Sequence, residues 1–594
     1  MVEDKAMLVQ GYKHGTFVLL LWRQGVFMGV LLQAFFQQND KGPPSPGDGD
    51  AGSEWWWDYI AGQAHALQQA GFSAIWLPPV TKGASGTESI GYDVFDDYDL
   101  GAKNQKGTVP TRYGSREQLQ RCAAILRANG IDIYLDIVNH QRDGGNDFVY
   151  TYPGADGTAG AGRFPKCADD FHPNVPPDPY VTDSSLSFGD DLSPMNCIPA
   201  GYVFNALIDS CDWLTRTLDV QGYRFDDAKG ISTAFTLPLA TSKSMTGKFV
   251  VGELISPIGD ISSWVFRGMQ GKASAFDYPL HFSIAGMCNN PGSFDMTQLD
   301  DTGFTAQSPF NSVTFVENHD TDSSPSLQPV VTNKMLGYAF ILTIEGYPSV
   351  YYRDYSTDVN CYGLKPYIDN LLWIHEKLAS GATQQRWKDF NVFAYERLGT
   401  PGLLTALNND PDNAHTITVA TNFGPNVALH DYTGHSPDVE TDENGSVAIT
   451  VPQNTSGESY VCYSCAGITG GFTATPQRVR QDFDGAADLD ILPATNGTTV
   501  QVGRIWCDAG SAVQAALIVD KTGWTGDSTI TVELTASDGC VIGGQVFTKG
   551  TPLGKLLQTQ VREVGFHGLR LTGVNLPGGS VPYTLSVSYG APQG

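Results

Sequence analysis

The sequence predicts an α/β chain: a closed (β/α)8 TIM barrel with a small domain inserted after its third strand, then an antiparallel β-domain and a C-terminal β-sandwich. Three observations carry this. Between Gly29 and Tyr352 eight short, apolar, β-rich runs each precede a stretch able to form a helix, which is the strand count of such a barrel. One interval, 141–200, is rich in Gly, Pro, Asp and Asn and too long for a loop. Beyond Trp373 the helical pattern gives way to short strands and turns, as in "STITVELTASDG" and "VPYTLSVSYG".

Taken in order, the runs are Gly29 to Phe36, Phe72 to Leu77, Ile131 to Val138, Gly222 to Asp226, Lys248 to Leu254, Ser274 to Leu280, Ser312 to Glu317 and Tyr347 to Tyr352. Their near-continuous apolar character is that of parallel strands covered on both faces. Trp55, Trp56 and Trp57 open the first helix, and at least one is expected to face the core. The expected domains are 1–140 with 201–385 for the barrel, 141–200 for the insertion, 386–466 for the β-domain and 467–594 for the sandwich. The last is expected to be an independent unit joined where few contacts cross.

Composition narrows the partners. The 594 residues carry 36 basic and 63 acidic side chains, a net charge of −27, and so acidic a surface repels phosphate backbones and anionic lipid. Nucleic acid and membrane are therefore excluded as partners, and a monomer is expected. Charged residues are only 17% of the chain while Gly and Pro number 66 and 34, a loop-rich, neutral-polar composition suited to a secreted protein. No apolar run approaches the ~18 residues of a spanning helix. The patch Phe17 to Trp22 follows Lys5 and Lys13, but Arg23 cuts it short and no small-residue cleavage pattern follows, so it is no convincing signal peptide. Of ten cysteines only Cys462 and Cys465 are closely spaced. A zinc site wants a second such pair, and some disulfides are expected if the chain is exported.

Candidate chemistry sits at the ends of the runs, where a barrel gathers its catalytic groups. In "GYRFDDAKG" Arg224 and Asp226 are two apart on a strand and share a side, and the guanidinium is expected to depress the carboxyl pKa as a nucleophile needs. "KFVVGEL" ends in Glu253, where burial would raise the pKa toward that of a working acid. "SVTFVENHD" ends in Glu317, Asn318, His319 and Asp320, and "DIVNHQ" supplies Asp136, Asn139 and His140. One ionised and one protonated carboxyl are the equipment for breaking a glycosidic bond.

These four segments, in this order, resemble the four signature regions of the α-amylases, glycoside hydrolase family 13. "GYDVFDDYDLGAKNQKGTVPTRYGSREQLQ" is similar to the matching stretch of bacterial liquefying and maltooligosaccharide-forming members. The resemblance spans roughly Gly29 to Ser464. It implies Asp226 as nucleophile, Glu253 as general acid and base, and Asp320 as transition-state stabiliser. Tyr92, His140, Arg224 and His319 would line the subsite beside the scissile bond, with Lys229 toward the leaving group. It also implies a structural Ca2+ held by Asn139, Asp191 and the Gly230 carbonyl, which suits a hard cation.

The implied function is retaining endo-hydrolysis of α-1,4-glucosidic bonds in starch or maltooligosaccharides. An α-glucanotransferase on the same scaffold and a silent α-glucan-binding protein are the alternatives. The sequence departs from the family in three places. Two residues rather than three separate Asp136 from Asn139, Gly230 stands where a histidine is usual, and Asp227 replaces a small residue. In the sandwich, Trp506 and Trp524 are candidates for either a sugar platform or core.

Overall fold

The computed structural model describes residues 29–36, 54–154, 157–176, 189–455, 457–486, 491–493, 496–552, 554–578 and 580–593. The patch Phe17 to Trp22 and part of the insertion, 177–188, lie outside these described residues. Eight parallel strands close a barrel: β1 (Val30–Gln33), β2 (Phe72–Leu77), β3 (Asp132–Ile137), β4 (Gly222–Phe225), β5 (Phe249–Gly252), β6 (Ser274–Phe276), β7 (Ser312–Phe315) and β8 (Tyr347–Tyr351). All eight fall within the expected runs. The principal helices of this region are α1 (Trp56–Ala70), α2 (Arg116–Ala128), α3 (Tyr202–Leu218), α4 (Thr233–Thr241), α5 (Ile258–Ser263), α6 (Tyr278–Asn289), α7 (Lys334–Ile341) and α8 (Lys365–Leu378).

Strand alternation divides the core in two. Leu31, Ala74, Trp76, Tyr134, Val251, Phe276, Val313, Phe315 and Tyr347 fill the barrel interior. Their neighbours Val30, Leu32, Ile75, Leu77, Ile133 and Leu135 pack under the helices. Gly222 is required by this interior, because a Cβ there would come within 2.5 Å of the Tyr134 ring. Trp56 and Trp57 are buried, and Trp56 Nε1 donates to the Ala34 carbonyl at 3.0 Å. Helix α2 starts at a reciprocal capping box between Ser115 and Gln118, which satisfies two otherwise orphan donors.

After β3 the chain leaves the barrel and returns through an antiparallel pairing of Gln141–Arg142 with Asp190–Asp191. Lys166, within this excursion, donates to Asp97 at 2.8 Å, and Arg142 also bonds that buried carboxylate. Burial pushes the Asp97 carboxyl up, but the two cations outweigh it and hold it well below the usual carboxylate range. The segment is thereby tied to the loop between β2 and α2.

Beyond α8, a six-stranded sheet running from Thr383–Lys388 to Val439–Glu440 covers a pair formed by His415–Ala420 and Ser446–Val451. The final segment forms two four-stranded antiparallel sheets. Its attachment differs from expectation. Ala124 and Ala128 of α2 belong to the sandwich's own apolar core, and Gln481 Nε2 donates to the Gln120 carbonyl at 2.9 Å. Arg216 of α3 reaches Asp482 at 2.8 Å and Asp484 at 3.7 Å, Arg504 pairs with Glu117, and Asn129 donates to the Gln593 carbonyl at 2.7 Å. The sandwich is seated because the outer faces of α2 and α3 offer it small residues and matched charge.

The structure also separates the two readings of the sandwich tryptophans. Trp524 is 2% exposed and part of that core, while Trp506 lies under Arg121 at 4.4 Å and against Phe566, so neither is an open sugar platform. All ten cysteines are free, Cys462 and Cys465 among them. No helix among the described residues is long and apolar enough to cross a membrane.

Candidate active site

The C-terminal ends of β3, β4, β5 and β7 bring together Asp136, Arg224, Asp226, Glu253, His319 and Asp320. On β4, Tyr223 and Phe225 pack outward, so Arg224 turns into the barrel, and Asp136 is its register partner on β3. Arg224 is the hub. Its Nη1 lies 2.9 Å from Asp136 Oδ1 and 2.6 Å from Asp226 Oδ1, and its Nη2 lies 2.7 Å from Glu253 Oε2.

Each partner is held a second time. Asp136 Oδ2 accepts from Tyr92 at 2.8 Å and from Trp76 Nε1 at 3.0 Å. Glu253 accepts from Tyr278 at 3.1 Å and from the Asp227 N–H at 3.0 Å. Asp227 has φ of 36°, a left-handed conformation costly for a residue with a Cβ. The turn after the nucleophile candidate thus aims a backbone donor at the acid candidate. His319 stacks on Tyr92 with ring centroids 5.4 Å apart. Its Nδ1 is 2.9 Å from Gln33 Nε2, and its Nε2 is 2.9 Å from the Tyr92 hydroxyl and 3.3 Å from Asp320.

One guanidinium cannot neutralise this many acids. Burial, followed by the Glu253 and Asp136 charges, lifts Asp226 well above the usual carboxylate range despite Arg224. This reverses the expected depression, because desolvation exceeds a cation already shared among neighbours. Burial also raises Asp136, and burial with the Glu253 charge raises Asp320 to about 7. Asp136, Asp226 and Asp320 titrate together and retain protons to unusually high pH. Burial, then Arg224, pushes His319 well below its ordinary value, so its ring is neutral.

The remaining candidates lie apart from the hub. His140 is buried, with Nδ1 3.6 Å from Asp191 Oδ1, and Lys229 is exposed at the rim. Glu317 leaves the cluster: its Oε1 accepts from the Val330 N–H at 2.8 Å, and Lys334 lies close enough to oppose the rise that burial gives its pKa. Among the described residues no group of three or more His, Cys, Asp or Glu side chains could hold a metal. The implied calcium ligands are of another kind, with one carboxylate among amide and carbonyl oxygens. Asn139 Oδ1 is buried with no hydrogen-bond partner, Asp191 and Gly230 are buried, and a cavity of about 30 Å3 touches Asn139. A buried amide oxygen left without a hydrogen-bond donor suits a hard cation.

Asp136 was noticed in the sequence but given no role, and Gln33, Trp76, Tyr278 and the Asp227 N–H were missed. Asp136 had a signal, an acid interrupting the apolar run "IYLDIV". The others acquire significance only when strands far apart in sequence meet.

A closed parallel barrel with paired carboxyls bridged by an arginine at its C-terminal face holds the equipment for breaking a glycosidic bond. Comparison with known proteins narrows this. Residues 403–464 match the family model described as "Alpha-amylase C-terminal". An α-amylase of Geobacillus stearothermophilus is 29% identical over 471 residues, 67% of this chain and 84% of the relative. The cytoplasmic α-amylase of Escherichia coli is 29% identical over 461 residues, 66% and 92% of the two chains. Among solved structures, a γ-CGTase from alkalophilic Bacillus clarkii shares the fold with a TM-score of 0.55 at 17% identity, covering 93% of this chain and 96% of its own. The chain is thus similar to α-amylases over about two thirds of its length, and residues 403–464 correspond to their C-terminal domain.

Proposed function

We propose that the chain hydrolyses α-1,4-glucosidic bonds inside starch and maltooligosaccharides with retention of configuration. The observation that carries this is the single guanidinium within 2.6 Å of Asp226 and 2.7 Å of Glu253, which fixes two carboxyls side by side from adjacent strands. In the protonation state of the cluster that leaves Asp226 ionised and Glu253 protonated, an Asp226 oxygen attacks the anomeric carbon while Glu253 gives its proton to the departing glycosidic oxygen, and the bond to the leaving sugar breaks. Glu253 then takes a proton from water, whose oxygen displaces Asp226 and restores both groups. Asp320, raised toward neutrality beside Glu253, and the neutral His319 bind sugar hydroxyls as positive charge develops on the ring. The test is incubation with soluble starch followed by chromatography. Shorter chains are expected, whereas redistributed lengths would mean transfer and unchanged starch would mean binding alone.

A calcium ion is proposed at Asn139, Asp191 and the Gly230 carbonyl, where it would clamp the excursion after β3 to the barrel; the support is the orphaned Asn139 oxygen. Because such an ion binds only the folded chain, excess chelator should lower Tm. Saturation a hundredfold above Kd is worth about 2.7 kcal/mol, and an unchanged Tm would retire the metal. We propose an extracellular monomer on the low charged fraction. The ten free thiols weigh toward a reducing compartment, and fractionation of producing cells separates the two.

A further inference from the structure

A cavity of about 740 Å3 lies away from the barrel mouth, at the seam between α2 and the sandwich. Its size lies within the ~300–1,000 Å3 of small-molecule sites. We propose that this cleft is a second binding site for a short stretch of α-glucan, a reading that rests on the proposed function.

Its floor is a sheet face of the sandwich. Three cross-strand rows lie along it: Trp506 opposite Phe566, Arg504 opposite Gly568 and Thr535, and Gln501 opposite Arg570 and Glu533. In the middle row the absence of a side chain at Gly568 lets Thr535 and Gln501 close over the backbone. A Cβ there would meet Thr535 Oγ1 at 2.6 Å and Gln501 Nε2 at 3.0 Å, so a hydroxyl and an amide converge above a bare backbone. Arg504 is laid flat over the Phe566 ring at 4.6 Å and held there by Glu117 across the cleft. These planar donors and acceptors are thereby preorganised, and their forked geometry matches neighbouring hydroxyls on a sugar.

Charge selects against the alternatives. Arg504 is answered by Glu117, Arg570 faces Glu533 on the paired strand, and Arg116 is itself engaged. The cleft therefore presents little net field to an anion, and Phe566 is its only large apolar lining residue, too little for a lipid-like ligand. A neutral, polyhydroxylated ligand suits what remains. Position adds purpose. Residues 115–117 begin α2, and barrel helices begin at the end where the strands finish, so the cleft lies toward the catalytic end. A long chain could occupy both sites, with the gain of a second attachment.

The test is calorimetric titration of full-length Glu253→Gln with maltoheptaose. Two sites are expected, and Ser537→Trp, which fills the cleft without touching the Arg504–Glu117 pair, should remove one of them. In the otherwise unmodified chain, Ser537→Trp should lower adsorption to insoluble starch about tenfold or more and leave kcat/KM on maltopentaose unchanged. Gln501→Ala provides a second variant that removes one planar group without adding bulk. One site in Glu253→Gln, two sites surviving both cleft variants, or occupation of the cleft by inorganic phosphate instead would overturn the proposal and leave the function intact. Absence of any α-glucan binding would overturn the function as well.

Discussion

Arg224 at the barrel mouth and Arg216 at the seam each face three carboxylates, and the two clusters behave oppositely. Around Arg224 lie Asp136, Asp226 and Glu253, with the guanidinium 2% exposed. Around Arg216 lie Asp212, Asp482 and Asp484, with the guanidinium 32% exposed. At the mouth desolvation wins and Asp226 rises. At the seam burial also pushes Asp212 up, but hydrogen bonds from Ser244, and then Arg216, bring it below the usual range. Equal numbers of charges thus yield protons ready to move in one place and a fixed clasp in the other. Depth decides which.

The sharpest way to break that comparison is Asp226→Asn. If the mouth is built for chemistry, activity should fall about a thousandfold or more, a loss of ~4 kcal/mol in transition-state stabilisation, while Tm holds because the amide oxygen can still accept from Arg224. Retention of more than about a tenth of the rate, under ~1.4 kcal/mol, would remove Asp226 from the nucleophile role. Arg216→Ala should do the reverse. It strands two sandwich aspartates facing α3, so thermal unfolding should show a loss of roughly 1–2 kcal/mol, between an exposed pair and a buried one, with kcat on maltopentaose unaltered.

The smallest effect sharpens the role of depth away from catalysis. Burial lifts Glu317 to about 8 from an ordinary 4.5, with Lys334 opposing. A carboxyl whose folded pKa lies above its unfolded value contributes stability that is complete below about 4.5 and is lost as pH rises through about 8. Glu317→Gln keeps an oxygen for the Val330 N–H and cannot ionise. Its unfolding free energy should therefore decline less than that of the parent between pH 5 and 9, by about 1 kcal/mol at the alkaline end after solvent relaxation, and its Tm should fall correspondingly less. Parallel Tm curves would show that the Glu317 site is effectively wet.

The barrel was legible in the sequence because its strands are apolar runs with chemistry at their ends. Asp226, Glu253 and Asp320 could be found for the same reason. Asp136 was not assigned a role because its importance is a matter of register, being the β3 neighbour of Arg224 across an interval of 88 positions. The docking of the sandwich was illegible for a subtler reason. Ala124 and Ala128 read as an ordinary helix face, and nothing local distinguishes an alanine turned to water from one turned to another core. Likewise the tryptophans of the sandwich announced size, not direction.

The double life of α2 has a consequence for how the chain is made. Ala124 and Ala128 complete a core whose other members begin at Val479, about 350 residues later. At ~5–20 residues per second, the ribosome leaves that helix face waiting for roughly 20–70 s. A large aliphatic patch held open so long would invite aggregation or a chaperone. Two alanines expose little apolar surface in the interval, so the barrel can mature first and accept its last partner on arrival.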